Sequence, residues 1–352
     1  MELINATQLV MQVAAEIGLK ISLRDGHEHA WQELLQAADY IPYDYTNASV
    51  DYQLCYQLGH GGDWHDVSLL LLWDNRAVGV WPLTISRKDL VTRITSQGQP
   101  LNPPLFLKDL NPNIKKKLVT LSLEMLYQLC NTLGITQIGS TERFSNQLGV
   151  SLWQIAAMSR GATCDVQHDL YLNILNSLEL IQENFRPRLR NDIKKSSLLW
   201  GHELVTANNI NLDNYWADFK RLHRIVSGKV TKDDDCWDLQ KEEIKNNSAF
   251  LIRLTDKEQK MVGGGYFTLT RDEGVYSVGA YDRDLFDKPV GHLVQFEAIK
   301  EFVRRKITWY KIGNYSYIGD TPPPTKKEVT IGDFKKQFSS HLFHRIIINH
   351  IL

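Results

Sequence analysis

Between Gly274 and Ile312 the hydrophobic period changes twice, and this constrains the fold more than any other feature of the chain. Gly274-Val275-Tyr276-Ser277-Val278-Gly279-Ala280-Tyr281 reads as a strand. It leads through Asp287-Lys288-Pro289-Val290-Gly291-His292 into a helix-patterned segment ending at Arg305, and Ile307 to Ile312 closes as a short apolar strand. A strand that feeds a glycine-containing turn at a helix start presents free backbone N–H groups to an anionic or carbonyl-bearing ligand. Further on, Gly332-Asp333-Phe334-Lys335-Lys336-Gln337-Phe338 sets a lysine between two aromatics.

The rest of the chain supplies elements of the same kinds. His27 to Ala38 predicts a helix, and Val67 to Trp73 and Ala77 to Ile85 predict two strands joined by a tight turn at Asp74-Asn75-Arg76. A proline-rich loop (Pro100 to Pro104) precedes a long amphipathic helix from Asn113 to Leu133, capped by Gly134 and followed by a strand from Ile135 to Ile138. Ala249 to Leu254 and Met261 to Leu269 predict a second hairpin, so hairpin, helix and strand recur in both halves. Within it, Gly263-Gly264-Gly265 predicts a bulge or a close approach of backbone or ligand. With 352 residues, two domains are expected, 1–165 and 166–352, with a strand from Cys164 to Ile174 at the boundary.

Composition excludes several classes of function. A net charge of −1 argues against DNA and bulk nucleic acid as partners, while leaving room for a local basic patch. Cys55, Cys130, Cys164 and Cys236 are widely spaced with no CxxC pair, which predicts free thiols and neither zinc nor disulfides. The opening Met1 to Ala6 lacks a basic stretch before an apolar core, and no 18-residue apolar run occurs, so a cytoplasmic protein without a membrane span is expected. Nucleophile-elbow, HExxH and P-loop motifs are absent, and His341, His344 and His350 read as structural.

Three groups of residues could carry chemistry. Arg186, Arg190 and Lys194 recur every four residues and would share one helix face, with Pro187 in the first turn. Such a stripe either binds phosphates and carboxylates or is simply a solvated basic face. Gly291 at the helix start could admit a ligand to the backbone or act as a cap, and His292 could be a base or a capping residue. Lys335, pinned by neighbouring rings, could meet the oxyanion of a tetrahedral intermediate; a surface lysine beside core aromatics is the alternative.

With those residues in view, the chain resembles the Fem family of aminoacyl/acyltransferases within the GNAT superfamily. Arg186 to Lys195 is similar to that family's arginine-rich helix. Phe250 to Gly313, including Gly263, Tyr266, Tyr281, Gln295 and Glu297, resembles its strand–strand–strand–helix–strand core. Phe334-Lys335-x-x-Phe338, preceded by Lys327-Glu328, resembles its terminal phenylalanine–lysine motif. The coiled-coil insertion of some tRNA-using members has no counterpart, and the superfamily's pyrophosphate signature is matched only partly, around Gly291. The resemblance implies an α/β (α+β) fold of two tandem GNAT-like domains, each a mixed, mostly antiparallel sheet flanked by helices, with a groove between them. It further implies an N-acyltransferase of cell-envelope or polysaccharide biosynthesis that binds no cofactor permanently. Acyl-CoA or aminoacyl-tRNA would be the donor, and an amine of a sugar nucleotide or peptidoglycan precursor the acceptor. On that reading Lys335 is catalytic, with His292, Asp320 and Glu328 as candidate proton acceptors. Arg186, Arg190, Lys194 and Tyr281 bind substrate, and Gly291, Gln295 and Phe334 hold the donor. A glycan- or protein-binding scaffold that has lost catalysis is the rival expectation.

Overall fold

A computed structural model describes residues 5–142 and 149–352; Met1 to Ile4 of the opening stretch lie outside them. The chain divides into two compact units. The first takes Met1–Val166 together with His344–Leu352, and the second takes Gln167–Phe343.

In the first unit α1 (Ala6–Glu16) precedes β1 (Ile21–Leu23), α2 (Glu28–Gln36) and α3 (Asn47–Leu58). Then come β2 (Asp63–Asp66), β3 (Leu69–Trp73), β4 (Arg76–Trp81), β5 (Thr84–Lys88), β6 (Val91–Thr95) and β7 (Leu105–Phe106). The unit continues with α4 (Pro112–Leu133), β8 (Gln137–Glu142), α5 (Leu152–Met158) and the start of β9 (Thr163–Asn173). Strands β1-β3-β4-β7 form one sheet and β2-β5-β6 another. The β3–β4 turn forms as expected, because Asp74 and Asn75 both take positive φ (49° and 60°), as a two-residue hairpin loop requires. The long strand expected over 77–85 is instead two strands in different sheets. Pro82 between them cannot donate to a ladder, so pairing ends at Trp81 and resumes elsewhere at Thr84. Helix α4 starts on an Asn111 cap and ends at left-handed Gly134; it buries Leu118, Leu126 and Leu129 in a core that also holds Trp81 and Trp153.

The second unit contains most of β9, then α6 (Leu178–Glu183), α7 (Pro187–Leu199), β10 (Gly201–Val205), α8 (Leu212–Ser227) and α9 (Asp234–Lys245). Next are β11 (Ala249–Thr255), β12 (Met261–Leu269), β13 (Glu273–Tyr281), α10 (Val290–Arg304), β14 (Trp309–Tyr315) and α11 (Lys326–Lys336). Its sheet runs β10-β11-β12-β13-β14-β9. Every pair in it is antiparallel except β13–β14. Helix α10 covers one face through Leu293, Val294, Ile299 and Phe302, packed with Phe250 and Phe267. Helices α8 and α9 cover the other through Trp216, Phe219 and Trp237 against Leu251 and Tyr266. The triple glycine is where α10 approaches β12: a Cβ at Gly265 would stand 2.7 Å from Val294 Cγ1, and one at Gly263 3.1 Å from Val290 Cγ1. The irregularity expected there falls just before the glycines, where Val262 is surplus against β11, and a second register shift, between Tyr266 and Phe267, leaves Ser277 of β13 surplus.

The final strand β15 (His341–Ile351) belongs from His344 onward to the first unit, where it pairs antiparallel with β8. The chain's end thus departs from the expected 166–352 grouping.

Candidate active site

The site grows from a defect in the second unit's sheet. Strands β13 and β14 pair at Glu273↔Trp309, Gly274↔Tyr310 and Val275↔Lys311, and among the described residues their ladder stops there. Both strands run on, β13 to Tyr281 and β14 to Tyr315, with no partner in each other. Each strand carries an extra residue just past the last pair. Ser277 is the surplus residue of β13 and Ile312 that of β14. Bulges bend a strand and end its pairing, so the split has a local cause in the backbone.

Side chains fill the split. Tyr276, immediately beyond the last paired residue, lies with its hydroxyl 2.9 Å from that of Tyr281. Regular alternation would put positions five apart on opposite faces; the Ser277 bulge re-phases the strand and lets the two meet. Tyr310 of β14 donates a short hydrogen bond to Gln295 Oε1, which α10 projects from the covered face. Gln295 is fully buried. Burial pushes the Tyr276 phenol up to about 12 and raises those of Tyr281 and Tyr310 well above the ordinary phenol range, so all three are hydrogen donors near neutral pH.

Lys335 reaches the same place. Its ammonium lies 5.6 Å from the centre of the Tyr276 ring and sits where a side chain on Gly313 would otherwise project. Gly313 has φ of +141°, which other residues rarely adopt. Burial lowers the Lys335 pKa, opposed by the Asp169 carboxylate. Asp169 is itself buried and stands 4.0 Å from Lys311 Nζ.

Sequence reasoning placed Lys335 between two clamping rings, and the geometry corrects this. Phe334 packs edge-on against His292 with ring centres 5.2 Å apart, and Phe338 packs against Phe185 at 6.0 Å. The rings anchor the end of α11, while the lysine between them leaves the helix in another direction. Phe334 also fills the space over Gly291, where a Cβ would stand 3.0 Å from Phe334 Cζ. Gly291 is therefore a packing glycine and Phe334 its cover, which leaves neither open to a donor as it stands. Gln295, expected to hold the donor, is enclosed among tyrosines.

The candidate proton acceptors fare unequally. Glu328 belongs to a capping box with Thr325: its carboxylate accepts from the Thr325 N–H and hydroxyl, each at 2.7 Å, which lowers its pKa. Asp320 accepts from the Tyr317 N–H at 2.9 Å and closes a turn. Both groups have structural work. Burial lowers the His292 pKa, with Asp192 at 3.9 Å opposing that effect. Arg186 is the residue before α7, and Arg190 and Lys194 lie on the exposed face opposite Leu189 and Ile193. Among the described residues none of the three has an ion-pair partner.

Tyr276, Tyr310, Gly279 and Gly313 were not singled out from sequence. Only Gly279 carried a visible signal, as a glycine inside a strand pattern. No three His, Cys, Asp or Glu residues come together as metal ligands among the described residues.

No family model matches the sequence, and no curated protein matches it. Solved structures do. FemX superposes with a TM-score of 0.67 at 12% identity, over 95% of this chain and 97% of that one. The C-terminal domain of a putative lysylphosphatidylglycerol synthetase from Agrobacterium fabrum gives 0.57 at 9% identity, over 93% and 92%. L-PGS from Bacillus licheniformis gives 0.53 at 8% identity, over 78% and 81%. The chain therefore has a mixed α/β fold, and it shares that fold with FemX and with these synthetase structures. At these identities the likeness is one of fold. No described helix is long and apolar enough to cross a membrane.

Proposed function

We propose that the protein is an N-acyltransferase that moves an acyl or aminoacyl group from acyl-CoA or aminoacyl-tRNA to an amine of a sugar nucleotide, cell-envelope polysaccharide or peptidoglycan precursor. The observation that carries this reading is the Lys335 ammonium, lodged beside Gly313 at the mouth of a split between two parallel strands. The donor carbonyl lies along the unpaired stretch of β13 toward Tyr281. The acceptor nitrogen attacks the carbonyl carbon, and the C=O electron pair moves onto oxygen. Lys335 meets that charge. Collapse re-forms C=O, expels the thiolate or ribose oxygen, and leaves an amide; the proton lost by nitrogen balances the one gained by the leaving group. Proximity and charge stabilisation supply most of the rate. With Asp320 and Glu328 committed to a turn and a cap, His292 is the remaining candidate base. The exposed Arg186, Arg190 and Lys194 would hold an anionic part of the acceptor or of tRNA.

One observation favours a second reading. The glycine at the α10 start is covered by Phe334, which suits a scaffold that binds a glycan or protein without transferring anything. Calorimetry with acetyl-CoA and with a non-hydrolysable aminoacyl-adenosine separates the two, since a scaffold binds neither. A tRNA-dependent enzyme would lose tRNA affinity steeply as salt rises, whereas an acyl-CoA enzyme would show a shallow slope.

A further inference from the structure

The polar groups of the split do not all find partners among themselves. Gln295 brings two amide hydrogens, and Tyr276, Tyr281 and Tyr310 bring one hydroxyl hydrogen each. Two hydrogen bonds of normal or short length join these groups, Tyr310 to Gln295 and Tyr276 to Tyr281. Gln295 Nε2 is buried and makes none, although the amide lies near enough to Tyr276 and Tyr281 to favour their ionised forms. A buried donor without an acceptor is costly, and Gln295 Nε2 is one.

The backbone makes room for these groups. A Cβ at Gly279 would collide with the Tyr276 hydroxyl, as one at Gly313 would with the Lys335 ammonium. Each strand bordering the split thus has a glycine where a polar tip must sit. Such an arrangement suits a guest that only accepts hydrogen bonds.

We propose that the Tyr276–Tyr281 hydroxyl pair, held by Gln295, is a side-chain donor arm that binds the carbonyl oxygen of the donor substrate alongside Lys335. Tyr281 touches the oxygen, while Gln295 acts through the tyrosines as a positioning residue. The inference rests on the transferase reading, and it adds side-chain donors to a site otherwise served by backbone N–H groups and one lysine.

The test measures binding of paired probes: a ketone analogue of acetyl-CoA against the thioether that lacks its carbonyl, and a non-hydrolysable aminoacyl-adenosine amide against its carbonyl-free amine. Wild type, Tyr281→Phe and Gln295→Met are compared, with circular dichroism confirming the fold of each; Gln295→Glu replaces Gln295→Met should the latter unfold. The wild type is expected to prefer the carbonyl probe of at least one pair by about tenfold, as one to two added hydrogen bonds would give. Both variants should lose most of that preference while binding the carbonyl-free probe as before. A wild-type preference that survives in the variants overturns the donor arm and leaves the transferase reading standing. Failure of the wild type to bind any probe overturns both.

Discussion

Lys335 and Gly313 have to be considered together, because the ammonium occupies the space a side chain at 313 would need. Lys335→Ala should lower kcat by about 100-fold or more, the usual effect of removing one donor to a developing oxyanion, with a smaller change in acceptor KM. Steady-state kinetics on the identified substrate check this, and turnover within about twofold of wild type would remove the lysine from the chemistry. Gly313→Ala should act on the same function by another route. Its φ of +141° is strained for any L side chain, and the new methyl would push the ammonium aside. A stability loss on the order of 1 kcal/mol or more is expected in denaturant titration, together with a fall in kcat. If only stability falls, the ammonium's position is less critical than its charge. The lysine and its flanking rings were legible in the sequence as a motif. Its true neighbours were not: Tyr276 and Tyr281 are five apart, and nothing in strand alternation says that a surplus Ser277 will bring them together.

At the scale of elements, periodicity and capping residues carried most of the information. The α4 pattern, its Gly134 cap and the β3–β4 turn could be read directly, since each depends on residues close in sequence. Helix α11 shows how a local signal can be overlooked in favour of a chemical one. Thr325-Lys326-Lys327-Glu328 is a capping-box pattern, so Glu328 fastens a helix end where a free carboxylate was expected. Thr325→Ala should therefore cost about 1 kcal/mol by loss of the cap. Because α11 carries Lys335, the same change should also raise hydrogen exchange through the helix's first turns. Exchange mass spectrometry resolves the two effects: protection unchanged over 326–330 would mean that packing of Phe334 and Phe338, not the cap, sets the helix. The end of β13–β14 pairing was not legible, because it depends on two bulges in strands far apart in sequence, each visible only in register.

At the scale of the whole chain, the last strand leaves the unit that precedes it and pairs with β8, so the first unit's stability depends on residues about 200 positions later. His350 fixes that strand. Its Nε2 lies 2.8 Å from Ser140 Oγ and its Nδ1 3.0 Å from the Tyr127 hydroxyl, while Trp153 Nε1 donates to the same Ser140 oxygen at 3.1 Å. The imidazole is 1% exposed, and burial pushes its pKa down to about 4. A histidine depressed on folding binds its proton more readily when unfolded, so stability must fall with pH through the window between the two values. From an unfolded pKa of about 6.5 down to about 4 the cost would accumulate to roughly 3 kcal/mol, an upper figure for a single buried group. Burial shifts His223 and His292 in the same direction, but both belong to the second unit. Calorimetric melting of wild type and His350→Gln from pH 7.5 to 4.5 tests the assignment. The melting temperature should drop steeply below pH 6.5 in the wild type and more gently in the variant, although the variant starts lower for want of its ring packing. Equal slopes would move the acid sensitivity to other groups and leave His350 as a packing residue whose charge state plays no part.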